Sequence, residues 1–166
     1  MSGPSSRLVG IAVRSARREP MRVIEAAEVT VAAGISGDHK GAKLKTRQVT
    51  LLAVEDWRAA LANLDPANGS VDLAWTVRRA NLLTEGVVLP AAAGALVRIG
   101  PILVEIMHPT FPCTRMTEAH PDLMRALARP WRGGVSGRVL EGGAIRLGDP
   151  VTVEAEGRPW TRPRLP

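Results

Sequence analysis

With 166 residues, 45% of them apolar, and a net charge of +6, the chain can bury one core of ordinary domain size. A single cysteine, Cys113, cannot close an intramolecular disulfide, which points to a reducing, cytoplasmic setting. The N-terminus has no apolar run of signal-peptide length, and no segment approaches the roughly 18 apolar residues of a membrane span, which argues against secretion and membrane insertion.

In chain order, Leu8–Val13, Met21–Ile24 and Glu28–Val31 read as strands bounded by glycine and proline. Arg47–Leu52 puts Val49 and Leu51 on one face and Thr50 and Leu52 on the other, a pattern for a strand covered on both sides. Val54, Trp57, Ala60, Leu61 and Leu64 then recur at spacings of three and four. They predict an amphipathic helix that Asp65-Pro66 ends. Leu96–Ile99 and Ile102–Met107 flank Gly100-Pro101 as a hairpin, after which Pro109 and Pro112 deny further ladder pairing and leave Cys113 in a loop. Pro121–Ala128 is a short helix stopped by Pro130. Val135–Leu140 and Ala144–Leu147 flank Glu141-Gly142-Gly143, a second hairpin signal, and Val151–Val153 is the last strand.

About eight or nine short strands, two or three helices and no βαβ alternation predict a mainly β fold with a few short helices, a barrel or sandwich. Residues 1–6 read as a flexible start, 7–154 as one domain, and 155–166 as a flexible Arg/Pro tail.

The charge is unevenly spread. Arg7, Arg14, Arg17, Arg18 and Arg22 give the first 22 residues a surplus of +4, Arg158, Arg162 and Arg164 give the tail +2, and residues 23–154 are neutral. Basic ends on a β-barrel suggest RNA. The aromatics are only Phe111 and four tryptophans, without the clustering among basic residues that a single-strand stacking platform needs, so nucleic acid is disfavoured.

Chemistry centres on Cys113 in the segment His108-Pro109-Thr110-Phe111-Pro112-Cys113-Thr114-Arg115. Two prolines stiffen this loop, and Arg115 and His108 are candidates to favour a thiolate. A thiolate there can serve as nucleophile, persulfide carrier or ligand to a sulfur-loving metal. No motif ties His39, His108 or His120 to it as a protease partner, and scattered histidines make a zinc site improbable. Gly37-Asp38-His39-Lys40-Gly41, followed by Lys43, Lys45 and Arg47, suits phosphate or is a solvated surface loop. Arg78-Arg79-Ala80-Asn81 offers guanidinium forks for an anion or a structural ion pair. Arg132-Gly133-Gly134 permits close backbone approach or simply bends the chain.

Taken in order, Gly37-Asp38, Arg47-Gln48-Val49-Thr50-Leu51, Arg79-Ala80-Asn81-Leu82 with Glu85-Gly86, Pro112-Cys113, Gly133-Gly134-Val135 and Gly148-Asp149-Pro150-Val151 resemble the MOSC family, the molybdenum-cofactor sulfurase C-terminal domain. The resemblance runs from about Met21 to Val153 and is strongest to the stand-alone bacterial members. It implies a MOSC-type β-barrel that binds molybdenum cofactor, a pterin whose dithiolene holds the metal and whose tail is a phosphate. Cys113 matches the position of the family's sulfur carrier or protein ligand to molybdenum. Arg79 and Asn81, with the Lys40–Arg47 loop and its Lys45, are implied for the pterin and phosphate, and Asp38, His39, Arg115, Gly133 and Gly134 join them as cofactor-binding candidates.

The implied activity is reduction of N-hydroxylated or N-oxygenated small molecules with electrons from a separate partner. The alternative is a non-redox persulfide carrier or cofactor-delivery module that exchanges sulfur with a donor or acceptor protein. The chain leaves no room for the sulfurases' pyridoxal-phosphate domain or for the extra β-barrel subdomain of the larger relatives, so a more open pocket, or one completed by a second subunit, is expected.

Overall fold

The computed structural model describes residues 5–128 and 131–160. The strands are β1 (Arg7–Val13), β2 (Arg22–Ile24), β3 (Ala26–Thr30), β4 (Gly34–Ile35), β5 (Val49–Ala53), β6 (Leu82–Glu85), β7 (Ala92–Ala93), β8 (Leu96–Ile99), β9 (Ile102–Pro109), β10 (Val135–Glu141), β11 (Gly143–Arg146), β12 (Val151–Ala155) and β13 (Arg158–Pro159). Three short helices, α1 (Val54–Ala62), α2 (Arg115–Ala119) and α3 (Leu123–Leu127), accompany them. The fold is therefore mainly β with a few short helices, as the sequence predicts.

An eight-stranded sheet runs in the order β12-β8-β9-β10-β5-β6-β1-β2. Its centre explains the two-faced pattern of β5. Val49, Leu51 and Ala53 enter the main core with Leu8, Ile11, Val104 and Ile106, whereas Leu52 joins Val54, Trp57, Ala60, Leu83 and Leu127 in a second core under the helices. Burial on both faces is what parallel pairing requires. β5 and β6 are indeed parallel, Leu51 opposite Leu82, with α1 in the crossover. The expected absence of any βαβ unit is thus corrected at this one place.

The expected closed barrel is also corrected. The first residues of β1 pair with the turn before β12, where Leu8 N–H donates to the Asp149 carbonyl at 2.9 Å and Val151 N–H to the Ser6 carbonyl at 3.0 Å. From Ile11 to Val13, β1 pairs with β2 instead. That shared edge leaves no continuous ladder between the sheet's two ends, only a bridge at Arg7 and Pro150.

Local signals held where the partner was local. β8 and β9 form the hairpin around Gly100-Pro101. β10 and β11 do not pair with each other: β10 lies between β9 and β5, while β11 joins β3 and β4 in a second sheet. A β-carbon on Gly142 would lie 2.5 Å from the Val29 carbonyl, so the glycine pair carries the chain across to β3 rather than back along β10. β9 also runs on through Pro109, opposite Val135, where Thr110 N–H donates to the Gly134 carbonyl at 2.9 Å in place of the proline's missing donor. At the C-terminal end, β13 pairs with β7 inside the segment read as tail. The remaining tail residues 161–166 and residues 1–4 of the predicted flexible start lie outside the described residues.

Candidate functional site

The turn leaving β1, the loop entering β5, the 3-10 turn Trp75–Arg78 ahead of β6 and the connection from β9 towards β10 converge on a cleft of about 440 Å³. Cys113 lines it and is exposed. Eight cationic side chains line it too: Arg14, Arg17 and Arg18 from the first turn, Lys40 and Arg47 from the second, Arg78 and Arg79 from the third, and Arg115 from the start of α2. Among the described residues no carboxylate lines the cleft, and none of the eight has an ion-pair partner. Like charges gathered around one cleft outweigh the nearby carboxylate of Asp38 and raise the energy of the empty fold, so the arrangement is suited to an anionic ligand.

Arg78 is buried, and its position is fixed by two carbonyls. Its Nε donates to the Gly133 carbonyl at 3.0 Å and its Nη2 to the Thr110 carbonyl at 2.8 Å, tying the β9 exit to the β10 entry. The next residue, Arg79, adopts a left-handed backbone with φ 65°, unusual for a residue with a β-carbon. That turn lets two successive guanidinium groups face the same cleft. Arg79 Nη2 donates to the Glu19 carbonyl at 2.8 Å and Arg14 Nη1 to the Arg17 carbonyl at 2.7 Å, so the cleft arginines also brace the turn that carries Arg17 and Arg18.

Burial pushes the Lys40 ammonium down to about 8; Asp38 opposes the fall, and the charges of Arg14, Arg47 and Arg78 deepen it. Burial lowers Arg78 to about 10, against the pull of Cys113 and with repulsion from Arg47. Arg14 and Arg79 are lowered in the same way, first by burial, with Arg115 adding repulsion to each. All four groups gain when an anion replaces the lost solvation.

The cleft gathers Cys113, Lys40, Arg47, Arg79, Arg115 and Gly133 of the sequence-predicted residues. Asp38 stands behind it, one carboxylate oxygen accepting from the Arg14 N–H at 3.2 Å and the other buried without a partner. His39, Lys45, Asn81 and Gly134 are outside the lining. Lys45 is exposed on the loop surface, and His39 N–H donates to the Arg14 carbonyl. Asn81 is fully buried; its Oδ1 accepts from the Thr50 N–H and hydroxyl, and its Nδ2 donates to the Ala12 carbonyl. Gly134 has φ +95°, and a β-carbon there would lie 2.2 Å from the Leu51 carbonyl.

Sequence reasoning missed Arg14, Arg17 and Arg18 because they counted as terminal charge. Arg78 was visible as half of a pair, but its burial and its carbonyl partners were not. No histidine lines the cleft, so Cys113 has no imidazole base beside it there.

No curated protein matches the sequence. Among solved structures, the YuaD protein of Bacillus subtilis matches with a TM-score of 0.73 at 14% identity, covering 92% of this chain and 97% of that one. YiiM of Geobacillus stearothermophilus matches with a TM-score of 0.67 at 18% identity, covering 89% and 74%. YiiM of Escherichia coli gives 0.65 at 17%, covering 90% and 70%. These likenesses are of fold. The MOSC domain family model matches residues 37–152, a span that runs from the glycine before Asp38 into β12 and takes in Cys113. The chain belongs to the MOSC domain family.

Proposed function

We propose that the cleft binds molybdenum cofactor, with the Cys113 thiolate as the protein ligand to the metal, and that the protein reduces N-hydroxylated or N-oxygenated small molecules in the cytoplasm using electrons from a separate partner. The single observation that carries the reading is eight cations, none with an ion-pair partner among the described residues, around the one cysteine. The family is associated with this cofactor, and the donor set fits its parts. A thiolate suits a soft metal, guanidinium forks and an ammonium suit a phosphate tail, and Gly133 leaves backbone near the ligand.

In this reading Lys40, Arg47 and Arg79 hold the phosphate, and Arg78 keeps the Thr110 and Gly133 backbones at a fixed separation. Arg115 follows Cys113 by two residues and lines the same cleft, where its guanidinium is a further donor to the anion. When bound, the cofactor supplies the two-electron redox chemistry. The test is molybdenum content by mass spectrometry after purification from cells that make the cofactor. Metal in wild type and its loss in Cys113→Ala are expected. No metal in wild type, or full retention in Cys113→Ala, overturns the reading.

The exposure of Cys113 favours a second reading, a persulfide carrier that exchanges sulfur with a donor or acceptor protein, because sulfur transfer needs a thiol open to attack. Incubation with a cysteine desulfurase and its substrate would then add the mass of one sulfur atom, labile to reductant, to wild type and not to Cys113→Ala. An unchanged mass rejects it.

A further inference from the structure

Three of the chain's five aromatic side chains, distant in sequence, meet beside the cleft. Trp160, just after β13, lies 5.6 Å from Phe111 between ring centres, tilted at 58°, and 6.0 Å from Trp131, edge-on at 90°. With Leu127, Ala128 and Pro112 they enclose a second pocket of about 280 Å³ that no charged side chain among the described residues lines. Its size lies just below the roughly 300–1,000 Å³ usual for small-molecule pockets.

The two pockets share a wall. Thr110, Phe111 and Gly133 line both. Three polar atoms of that wall are already engaged: Arg78 takes the carbonyls of Thr110 and Gly133, and the Thr110 hydroxyl pairs with the Ser136 hydroxyl at 3.0 Å. The second side is mainly ring face and aliphatic surface, with the indole N–H groups of Trp131 and Trp160 as neutral donors, which favours an uncharged, planar ligand and disfavours an ion. Two further features are unexplained by packing economy. Trp131 holds a left-handed backbone with φ 65°, unusual for a residue with a β-carbon and of a kind that clusters at functional sites. Phe111, two residues from Cys113, is 60% exposed although it stands between both pockets.

We propose that the Phe111–Trp131–Trp160 pocket is a binding site for an uncharged aromatic ring, and that this ring belongs to the small molecule transformed at the neighbouring cleft. The ring is held by stacking in the apolar chamber while its reactive substituent extends past Phe111 towards Cys113. The site as a whole then has two compartments of opposite character, one for an anionic group and one for a neutral ring. The part of the proposal concerning transformation rests on the reading of the cleft as the reaction site; the ring site itself does not.

The full chain is titrated with quinoline, a neutral bicyclic ring at pH 7.5, by calorimetry and ligand-observed NMR, and separately with sulfate as a probe of the cleft. Wild type is expected to bind both. Trp160→Ala should weaken quinoline roughly tenfold, the loss of one stacking face, and leave sulfate affinity within about twofold; Ala128→Phe, which fills the pocket without removing an aromatic, should do the same. Absence of quinoline binding in wild type overturns the proposal, as does unchanged quinoline affinity in both variants. A pocket that instead accepts a second copy of the chain would show a concentration-dependent dimer lost in Trp160→Ala with no effect of quinoline, and this too overturns it. Failure of sulfate to bind, with quinoline behaviour as expected, rejects the cleft reading and leaves the ring site standing.

Discussion

Arg78 and Lys40 show how much of this site depends on where a charge is buried rather than on its presence. Arg78 spends two of its five donors on backbone carbonyls of two loops. Lysine keeps the charge but cannot span both acceptors in the same planar fork. Arg78→Lys is therefore expected to cost about 1–3 kcal/mol in stability, read by denaturant unfolding, and to weaken sulfate binding because the Thr110 and Gly133 backbones lose their common brace. Lys40 contributes through its titration. Its folded-state value near 8 lies below its ordinary 10.5, so between those values the unfolded chain binds more protons and the ligand-free fold gains stability as pH rises. Sulfate, whose own charge is constant over this range, needs the ammonium and should bind progressively more weakly as pH rises through about 8. In Lys40→Gln that part of the pH dependence should vanish, with affinity already reduced at neutral pH; calorimetry across the range checks both.

At the scale of elements, the parallel pair β5 and β6 puts Thr50 and Asn81 side by side under the cleft. The family resemblance groups Asn81 with the cofactor residues, while its side chain satisfies Thr50 on β5 and Ala12 on β1. Asn81→Leu should leave these buried groups unpaired and lower stability by about 2–4 kcal/mol, with chemical denaturation as the readout. Gly134→Ala faces both a left-handed φ and the Leu51 carbonyl 2.2 Å from the new β-carbon. It is expected to shift the β10 entry and to lower the melting temperature by several degrees.

These elements also show what the sequence could and could not disclose. The α1 stripe and the Gly100-Pro101 hairpin were legible because each is decided by residues within a few positions of one another. The partner of β11 was not. Glycines at 142 and 143 announce a change of direction equally well for a return along β10 and for a crossing to β3, and the choice is made by Val29, more than a hundred residues earlier. Pro109 misled in a different way, since the donor it lacks is supplied one residue later by Thr110. Cys113, Lys40, Arg47, Arg79 and Arg115 were legible as candidates because each sits in a short loop between strong element signals. Arg14, Arg17 and Arg18 were not, because position near the chain's start looks like surface charge until the turn is seen folded over Arg79. Phe111, Trp131 and Trp160 likewise carry no local sign of meeting, and the expectation that the aromatics do not cluster near basic residues is corrected where the three pack beside the cleft.

For the whole molecule, the neutral interior and basic N-terminal segment inferred from composition do not survive as separate regions: the segment's arginines complete the interior's cleft. Eight cations in one cleft, none ion-paired among the described residues, store repulsion that salt or a bound anion relieves. Pyrophosphate should therefore raise the melting temperature. At a hundred times its dissociation constant the linked gain is about 2.7 kcal/mol, and the gain should shrink in the double variant Arg47→Gln/Arg79→Gln, as scanning calorimetry would show.

The divided edge of β1 bears on how the chain acquires this structure during synthesis. Its first strand pairs with residues 82–85 on one side and hydrogen-bonds to residues 148–151 at its start. Synthesised before either partner, residues 7–13 have to wait for both, with Leu8, Ile11 and Val13 apolar and uncovered by them in the meantime. Closure of such distant pairs is slow. The arginine turn that follows β1 takes its place over the cleft only when that strand is seated, so the anion site forms among the last features of the fold.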